Sequence, residues 1–248
     1  MRFYCSILFV SAFLIGCHSP KSYIQSLPYV ADVQGKGDFE ATAILGGDHV
    51  EVITYYSPVE HIYVQGQVHA GNLGVKTDLA IGGYYALQDL HIEYLVGFGN
   101  ALIDSKKKRR ENSFPLWWND AEFERVTARF STFFFQQSFG IDLDPNWTLG
   151  FVGRLNSVRY HRYSYSKLIS GQGSQDDYLI EVGNWDPDGW VFDTGLFVKF
   201  NTNRFVGSFH VGWSFDDFHG GQYDRSKWEL PYYSPLILNA GVGYWIGK

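Results

Sequence analysis

Residues 75–85 read VKTDLAIGGYY, and the alternation of apolar and polar side chains along them decides the fold class. Val75, Leu79 and Ile81 fall on one side of the alternation, and Lys76 and Asp78 fall on the other. Because successive side chains of a β-strand point to opposite faces, this strand has one apolar and one polar face. The pattern predicts a sheet whose two sides meet different surroundings.

The same two-residue period recurs outward from this segment, in residues 90–98, 205–215 and 236–246. Aromatic residues make up 18% of the chain and there are 27 glycines, while the mean hydropathy is only −0.17. These features predict an all-β protein rather than a helical one. The strands predicted from the alternation cover residues 39–46, 49–57, 60–70, 74–86, 89–102, 122–140, 147–162, 190–201, 204–216 and 235–247.

The connections between these strands are sorted by length. Tight turns are predicted at 58–59, 87–88, 144–146 and 201–203, and long loops at 103–121, 163–189 and 217–234. In an up-and-down meander all the long loops then fall on one side, as they do in outer-membrane barrels. We expect an antiparallel up-and-down transmembrane β-barrel of about ten strands, with its long loops outside the cell and both termini on the short-turn side. The basic run at 106–110 is expected in a solvated loop.

The N-terminus has the form of a bacterial export signal. Arg2 precedes an uncharged apolar run at 3–15, which is too short to span a bilayer as a helix. Residues 14–17 read LIGC and resemble a lipobox, in which Cys17 becomes the lipidated first residue; the alternative is an ordinary signal with a chance cysteine. We expect a signal peptide at 1–16, a lipidated tether at 17–37 and the barrel at 38–248, in the outer membrane of a Gram-negative bacterium.

Composition excludes several functions. The net charge of −6 argues against nucleic acid as a partner. The second cysteine, Cys5, lies in the signal, so disulfides and cysteine-rich metal sites are excluded. Neither a phosphate-binding loop, nor a nucleophile elbow, nor paired metal-binding histidines stand out. The chain is therefore expected to have no enzymatic activity, cofactor or metal, and its expected partner is outer-membrane lipid, with any protein partner and the oligomeric state left open.

Ten ionisable residues are predicted to face the lumen. One interpretation is an interior in which opposite charges are paired, since an unpaired buried charge is costly. The other is a lined pore or a small ligand pocket, although ten strands enclose little more than their own side chains and water. These residues are Lys76, Asp78, His91, Glu93, Arg125, Arg129, Arg154, Asp193, Lys199 and His210.

Polar and aromatic residues near the outer rim leave further alternatives open. A barrel hydrolase acting on envelope lipid would need a nucleophile, a base and an orienting group there. The aromatic residues of the long loops fit either an interfacial belt or a surface that binds sugars or protein. The candidate hydrolase residues are His161, Ser164, Ser166, Asp216, Asp217 and His219.

Several short segments of this chain resemble segments of a known group of proteins. They are KGDF at 36–39, YSPVEHI at 56–62, IGGYY at 81–85 and IEYLVGFG at 92–99. In these segments the chain is similar to small outer-membrane barrels of Bacteroidetes-type bacteria, many of them described only as uncharacterised lipoproteins. The resemblance implies a barrel and its compartment, and it brings no catalytic or ligand residues. The expected role is structural or surface contact in the envelope, with a rim hydrolase or a narrow solute channel as alternatives.

Overall fold

The structure is a computed structural model of the full chain and contains eleven β-strands in the part that it describes. The described residues are 23–24, 29–30, 35–46, 49–110, 121–170, 178–182, 188–202, 204–219 and 236–246. The strands are β1 (Phe39–Gly46), β2 (His49–Val59), β3 (Ile62–Gly71), β4 (Gly74–Leu87), β5 (Leu90–Arg110), β6 (Ala121–Asp144), β7 (Trp147–Ser170), β8 (Tyr178–Val182), β9 (Asp188–Asn201), β10 (Phe205–His219) and β11 (Leu236–Ile246).

Ten of these strands close into an antiparallel barrel. Consecutive strands pair from β1 through β7, β7 then pairs with β9, and β9 continues through β10 to β11. The first and last strands close the cylinder, with register from Phe39↔Ile246 to Gly46↔Asn239. Strand β8 pairs only with the far part of β7, outside the cylinder. The prediction of an all-β, up-and-down antiparallel barrel of about ten strands is confirmed.

No helix among the described residues is long and apolar enough to cross a membrane.

The tight turns lie within one or two residues of their predicted positions: the first is at 60–61 rather than 58–59, because β2 continues to Val59. The β2–β3 and β4–β5 turns contain His61 and Gln88, whose φ angles are 64° and 50°. Such left-handed backbone is uncommon outside glycine and marks a tight reversal. Next to the first of these turns, the β2–β3 register shifts between Tyr56 and Val59, which absorbs Pro58 in a bulge. Turn residues therefore fix the short-turn end of the barrel.

On the opposite side, the predicted loops are partly wrong. Strand β5 continues to Arg110 and β7 to Ser170, so residues 103–110 and 163–170 are strand. The basic run from Lys106 lies in β5 opposite β6 rather than in a loop. Strand β8 also falls inside the predicted loop 163–189. Beyond the apolar outer surface of the barrel these strands meet water on their outer face while Ile103 and Val126 are still buried on the inner face, so charged residues there do not signal a break in the strand.

Polar side chains point into the barrel and apolar side chains point out. On β4, Leu79 is 72% exposed and Ile81 58% exposed, whereas Lys76 and Asp78 are almost completely buried. The same arrangement holds on β10, where Phe209 is exposed and His210 is buried. The apolar faces thus form the outer surface of the barrel, which is the opposite of a soluble barrel.

Part of the predicted tether lies inside the lumen. Tyr23, Ile24, Tyr29 and Val30 are each at most 5% exposed. Tyr23 and Ile24 pack among inward apolar residues of β5, β6 and β7, and Val30 packs against residues of β7 and β9. We call these four residues the plug segment. Residues 35–38 then lead to the start of β1 beside Ser57, at the short-turn end.

Candidate functional site

A group of paired charges lies in the middle of the lumen. The Arg154 guanidinium on β7 donates a hydrogen bond of 2.7 Å from Nη2 to Asp78 Oδ2 on β4, across the barrel. The Lys76 Nζ lies 3.5 Å from the same carboxylate oxygen. The guanidinium also stacks on the Phe134 ring, 3.4 Å from its centroid. All three charged side chains are buried, so their charges are balanced by each other rather than by water.

A second carboxylate, Asp193 on β9, joins the same group through two polar neighbours. Arg154 Nε donates to Asn156 Oδ1 at 3.0 Å, and Asn156 Nδ2 donates to Asp193 Oδ2 at 2.8 Å. Ser214 on β10 donates a short hydrogen bond to Asp193 Oδ1. Two cations, Lys76 and Arg154, therefore share one network with two anions, Asp78 and Asp193. We call these four residues the central cluster.

Below the central cluster, Tyr29 of the plug segment is fixed to the barrel wall through its polar atoms. Its hydroxyl donates to Glu40 Oε1 at 2.8 Å. Its carbonyl oxygen accepts hydrogen bonds from the Tyr55 hydroxyl at 3.2 Å and from Gln136 Nε2 at 3.0 Å. These partners belong to β1, β2 and β6, so the plug segment is held from several sides of the lumen.

The ring of Tyr29 contacts two basic residues of the lumen, Lys199 and His210. Lys199 Nζ lies 4.9 Å from the ring centroid, within the range of a cation–π contact. The His210 ring packs beside it, with centroids 5.5 Å apart. Polar groups that the sequence alone assigns to the lumen are thus covered by the plug segment.

Seven of the ten predicted lumen residues are buried inside the barrel. Lys76, Asp78, Arg154 and Asp193 meet in the central cluster. Glu93 lies lower, where the hydroxyls of Tyr63 and Ser138 approach Oε2 at 3.5 Å. Those that face inward in a buried position are Lys76, Asp78, Glu93, Arg154, Asp193, Lys199 and His210.

Of the other three predicted lumen residues, His91 lies on the inward face near the mouth of the lumen, and the two arginines lie outside it. His91 is partly exposed at the short-turn end, with Nε2 2.6 Å from Asp142 Oδ2. Arg125 and Arg129 are exposed on the outer face of β6, and Arg125 forms a two-pronged ion pair with Asp104 at 2.9 and 3.1 Å. The assignment of Arg125 and Arg129 to the lumen is wrong, because this part of β6 meets water on its outer side, so that its outer face is the polar one.

Sequence reasoning missed a cluster of polar residues on β2 and β3. Glu51 accepts from His69 Nδ1 at 2.8 Å and from Gln67 Nε2 at 2.9 Å, and His49 Nε2 lies 3.5 Å from Glu51. Gln65, Gln67 and His69 alternate with apolar Val64 and Val68, so the two-residue period that identified the other inward residues also identifies these.

A serine and a histidine meet on the outer surface. The register of β6 with β7 shifts between Arg129 and Phe130, and the shift leaves His161 as an extra residue. At this bulge His161 and Arg162 are both exposed, and His161 Nε2 lies 2.7 Å from Ser131 Oγ. The single hydroxyl proton of Ser131 has two acceptors in reach, this nitrogen and Asn100 Oδ1 at 2.9 Å.

Of the other predicted rim residues, the two serines do not join this pair. Ser164 and Ser166 lie farther along β7, opposite Thr127 and Arg125. The side chains of Asp216, Asp217 and His219 lie outside the described residues, as do Cys17 and the predicted signal peptide at 1–16.

Comparison with known proteins finds weak similarity to solved structures alone. No family model and no curated protein matches it. Similar solved structures include the CymD monoaromatic hydrocarbon channel, with 8% identity, TM-score 0.31 and coverage of 86% of this chain and 88% of that chain. Another is the toluene transporter TbuX of Ralstonia pickettii, with 6% identity, TM-score 0.32 and coverage of 86% and 90%. At these values the functional argument rests on the chain's own geometry.

Proposed function

We propose that the chain is an outer-membrane β-barrel lipoprotein whose lumen is closed by its own plug segment and whose role is structural or in surface contact, rather than transport. The observation that carries this proposal is the fixing of Tyr29 across the lumen by Glu40, Tyr55 and Gln136. A passage that conducts solute would need these bonds to open. The lipobox at 14–17 supports the lipid anchor on Cys17.

The outer surface supports a membrane location. On β6 the outward side chains from Ile141 to Phe133 carry no charge, and Ser131 and Arg129 follow them. Eight residues rise about 26 Å along a strand, or about 20 Å at a tilt of roughly 40°, close to the height of a barrel's apolar band. Charged residues bound this band on both sides, with Asp144 beyond its lower end.

Strand extensions support a role in surface contact. Beyond the apolar band, β5, β6 and β7 continue as a paired sheet to Arg110, Ala121 and Ser170, and β8 adds a further strand. A wall that rises above one side of a barrel offers a rigid surface to other molecules. Since outer-membrane barrels have their longer connections outside the cell, we place this wall on the cell surface.

Conductance in planar bilayers tests the closed lumen. We expect the purified mature chain to show no stable open conductance. Removing residues 18–34, which contain the plug segment, should create conducting openings in chains that still fold and shift on heating in a gel. Stable ion conductance by the intact chain at low voltage would contradict the proposal and favour the channel.

A second candidate function, hydrolysis of envelope lipid, is favoured by the pair Ser131 and His161. Nucleophile and base lie 2.7 Å apart at the upper edge of the apolar band, where the ester bonds of a lipid would lie. Arg159 is opposite Ser131 on β7, and Arg129 lies two residues along β6, so cations flank the pair as a lipid phosphate would require.

In this candidate reaction Ser131 Oγ attacks the ester carbonyl and His161 takes its proton. The lipid alcohol leaves with that proton, and water then releases the fatty acid from the acyl-serine. Incubation with a fluorophosphonate probe tests it: labelling of the wild type, lost in Ser131→Ala and in His161→Ala but kept in Ser164→Ala, would support hydrolysis. Absence of labelling together with absence of fatty-acid release from phospholipid would exclude it.

A further inference from the structure

Three potential metal ligands converge on the inner wall between β2 and β3. His49 and Glu51 are two residues apart on β2 and share its inward face, and His69 lies directly opposite Glu51 on β3. Glu51 and His69 are buried, and the two imidazole rings stack with centroids 4.3 Å apart. Strand periodicity and register alone therefore place two imidazoles and one carboxylate side by side.

The distances between the donor atoms fit one small divalent ion. One ligand atom from each of His49, Glu51 and His69 can be chosen so that all lie within 4.8 Å of one another. Glu51 Oε1 is 2.8 Å from His69 Nδ1 and 3.5 Å from His49 Nε2. Ligands about 2.0–2.2 Å from a tetrahedral ion are separated by about 3.3–3.6 Å, so Glu51 Oε1 and His69 Nδ1 would have to move apart by about 0.5–0.8 Å, and the proton that they share would leave when the ion binds.

Neighbouring residues hold the carboxylate in position for this role. Gln67 Nε2 donates to Glu51 Oε2 at 2.9 Å, which leaves Oε1 directed at the two histidines. Hydrogen bonds of this kind from a second layer of residues orient metal ligands and raise affinity. The nearby Lys76, opposite His69 on β4, has its ammonium 3.5 Å from Asp78 in the central cluster.

We propose that His49, Glu51 and His69 bind a divalent transition-metal ion of the Zn²⁺ class in the lumen. Imidazole nitrogens and a carboxylate oxygen are the donors that such an ion prefers, whereas Mg²⁺ and Ca²⁺ prefer oxygen alone. Three protein ligands leave a fourth position for water or for a ligand that enters the lumen. The ion would also cross-link β2 to β3, adding stability to this part of the wall.

Metal titration of the folded chain tests the proposal. The mature protein, purified without a polyhistidine tag and folded in detergent, is titrated with Co²⁺ and then with Zn²⁺. We expect one Co²⁺ per chain with visible absorption bands of a four-coordinate nitrogen and oxygen site, displaced by Zn²⁺. Gln67→Leu should weaken binding by about 10–100-fold, and His69→Ala should weaken it further.

Two controls separate this site from adventitious binding. His91→Ala removes a histidine that also faces a carboxylate, but at the short-turn end, so it should leave Co²⁺ binding unchanged. His49→Gln serves as a second ligand variant if His69→Ala fails to fold, with heat-shifted migration in a gel as the test of folding. A folded wild type that binds no stoichiometric Co²⁺, or equal loss of binding in His91→Ala, would overturn the proposal.

Discussion

Replacing Arg154 by methionine tests whether the lumen is held together by paired charges. The substitution keeps much of the side-chain volume over Phe134 but removes the hydrogen bonds to Asp78 and Asn156. The central cluster then keeps one cation, Lys76, against two buried anions. Removing one partner of a buried ion pair costs about 3–5 kcal/mol, and we expect Arg154→Met to lower the free energy of unfolding by that amount.

The double variant Arg154→Met with Asp78→Asn is the matched control. The central cluster then contains one cation, Lys76, and one anion, Asp193, so its charges are balanced again. We therefore expect the double variant to be more stable than Arg154→Met alone. Both are measured by denaturant unfolding in lipid vesicles, followed by tryptophan fluorescence and circular dichroism. A cost below about 1 kcal/mol for Arg154→Met, or a double variant no more stable than the single one, would refute the charge-pairing argument.

Three further predictions concern the barrel strands and the lipid anchor. Ile81→Arg, in the middle of the apolar band, should cost about 2–4 kcal/mol in vesicles, and Thr127→Arg beyond the band only about 0–1; equal costs would contradict a membrane-facing surface. Gly97→Ala should cost about 1–3 kcal/mol, because the added Cβ would lie 2.3 Å from Phe134 Cζ, whereas at Gly207 its nearest contact is 3.9 Å away and Gly207→Ala should unfold like the wild type. Cys17→Ser should abolish palmitate incorporation, and undiminished labelling would end the lipoprotein hypothesis.

Alternation predicts strands well where one face meets lipid and the other meets the lumen. Phe39–Gly46 is found as predicted, and the tight turn at Leu87 differs by a single residue. Because lipid favours apolar side chains and the lumen favours polar ones, apolar and polar residues alternate along such a strand. This is also why the inward positions of Lys76 and Asp78 follow from sequence alone.

The same reasoning fails above the apolar band, where the outer face of the strands is polar and the inner face is apolar. On β6 the consecutive aromatic residues 133–135 do not show which face points inward. Beyond them Val126 and Phe130 are buried on the inward face, whereas the outward residues are polar. The alternation therefore assigns Arg125 and Arg129 to the wrong face, and the basic run at the end of β5 wrongly predicts a loop. Pairing with a neighbouring strand, which is a long-range property, is what keeps these segments extended.

The plug segment also escapes prediction, for a different reason. Tyr23, Ile24, Tyr29 and Val30 have neither helical nor strand spacing, and a segment rich in proline and glycine suggests a solvated tether. The large apolar residues of this segment are the feature from which burial could be predicted, because a solvated tether would expose them to water. Their contacts are to residues more than ten positions away, such as Gln136, and cannot be read from local sequence.

The position of the plug segment constrains the order in which the barrel can assemble. The barrel closes at the seam, where β1 pairs with β11 and Phe39 lies opposite Ile246. The partners of the plug segment include Glu40 on β1 and His210 on β10, the neighbour of β11. Once β1 and β11 have paired, aromatic side chains would have to thread into a narrow, already filled cylinder. Folding is therefore simplest if Tyr29 is in place while the sheet is still open, so that the strands wrap around it. Seam closure is then both the most non-local step and the one that traps the segment, which makes it the step expected to limit the rate of folding.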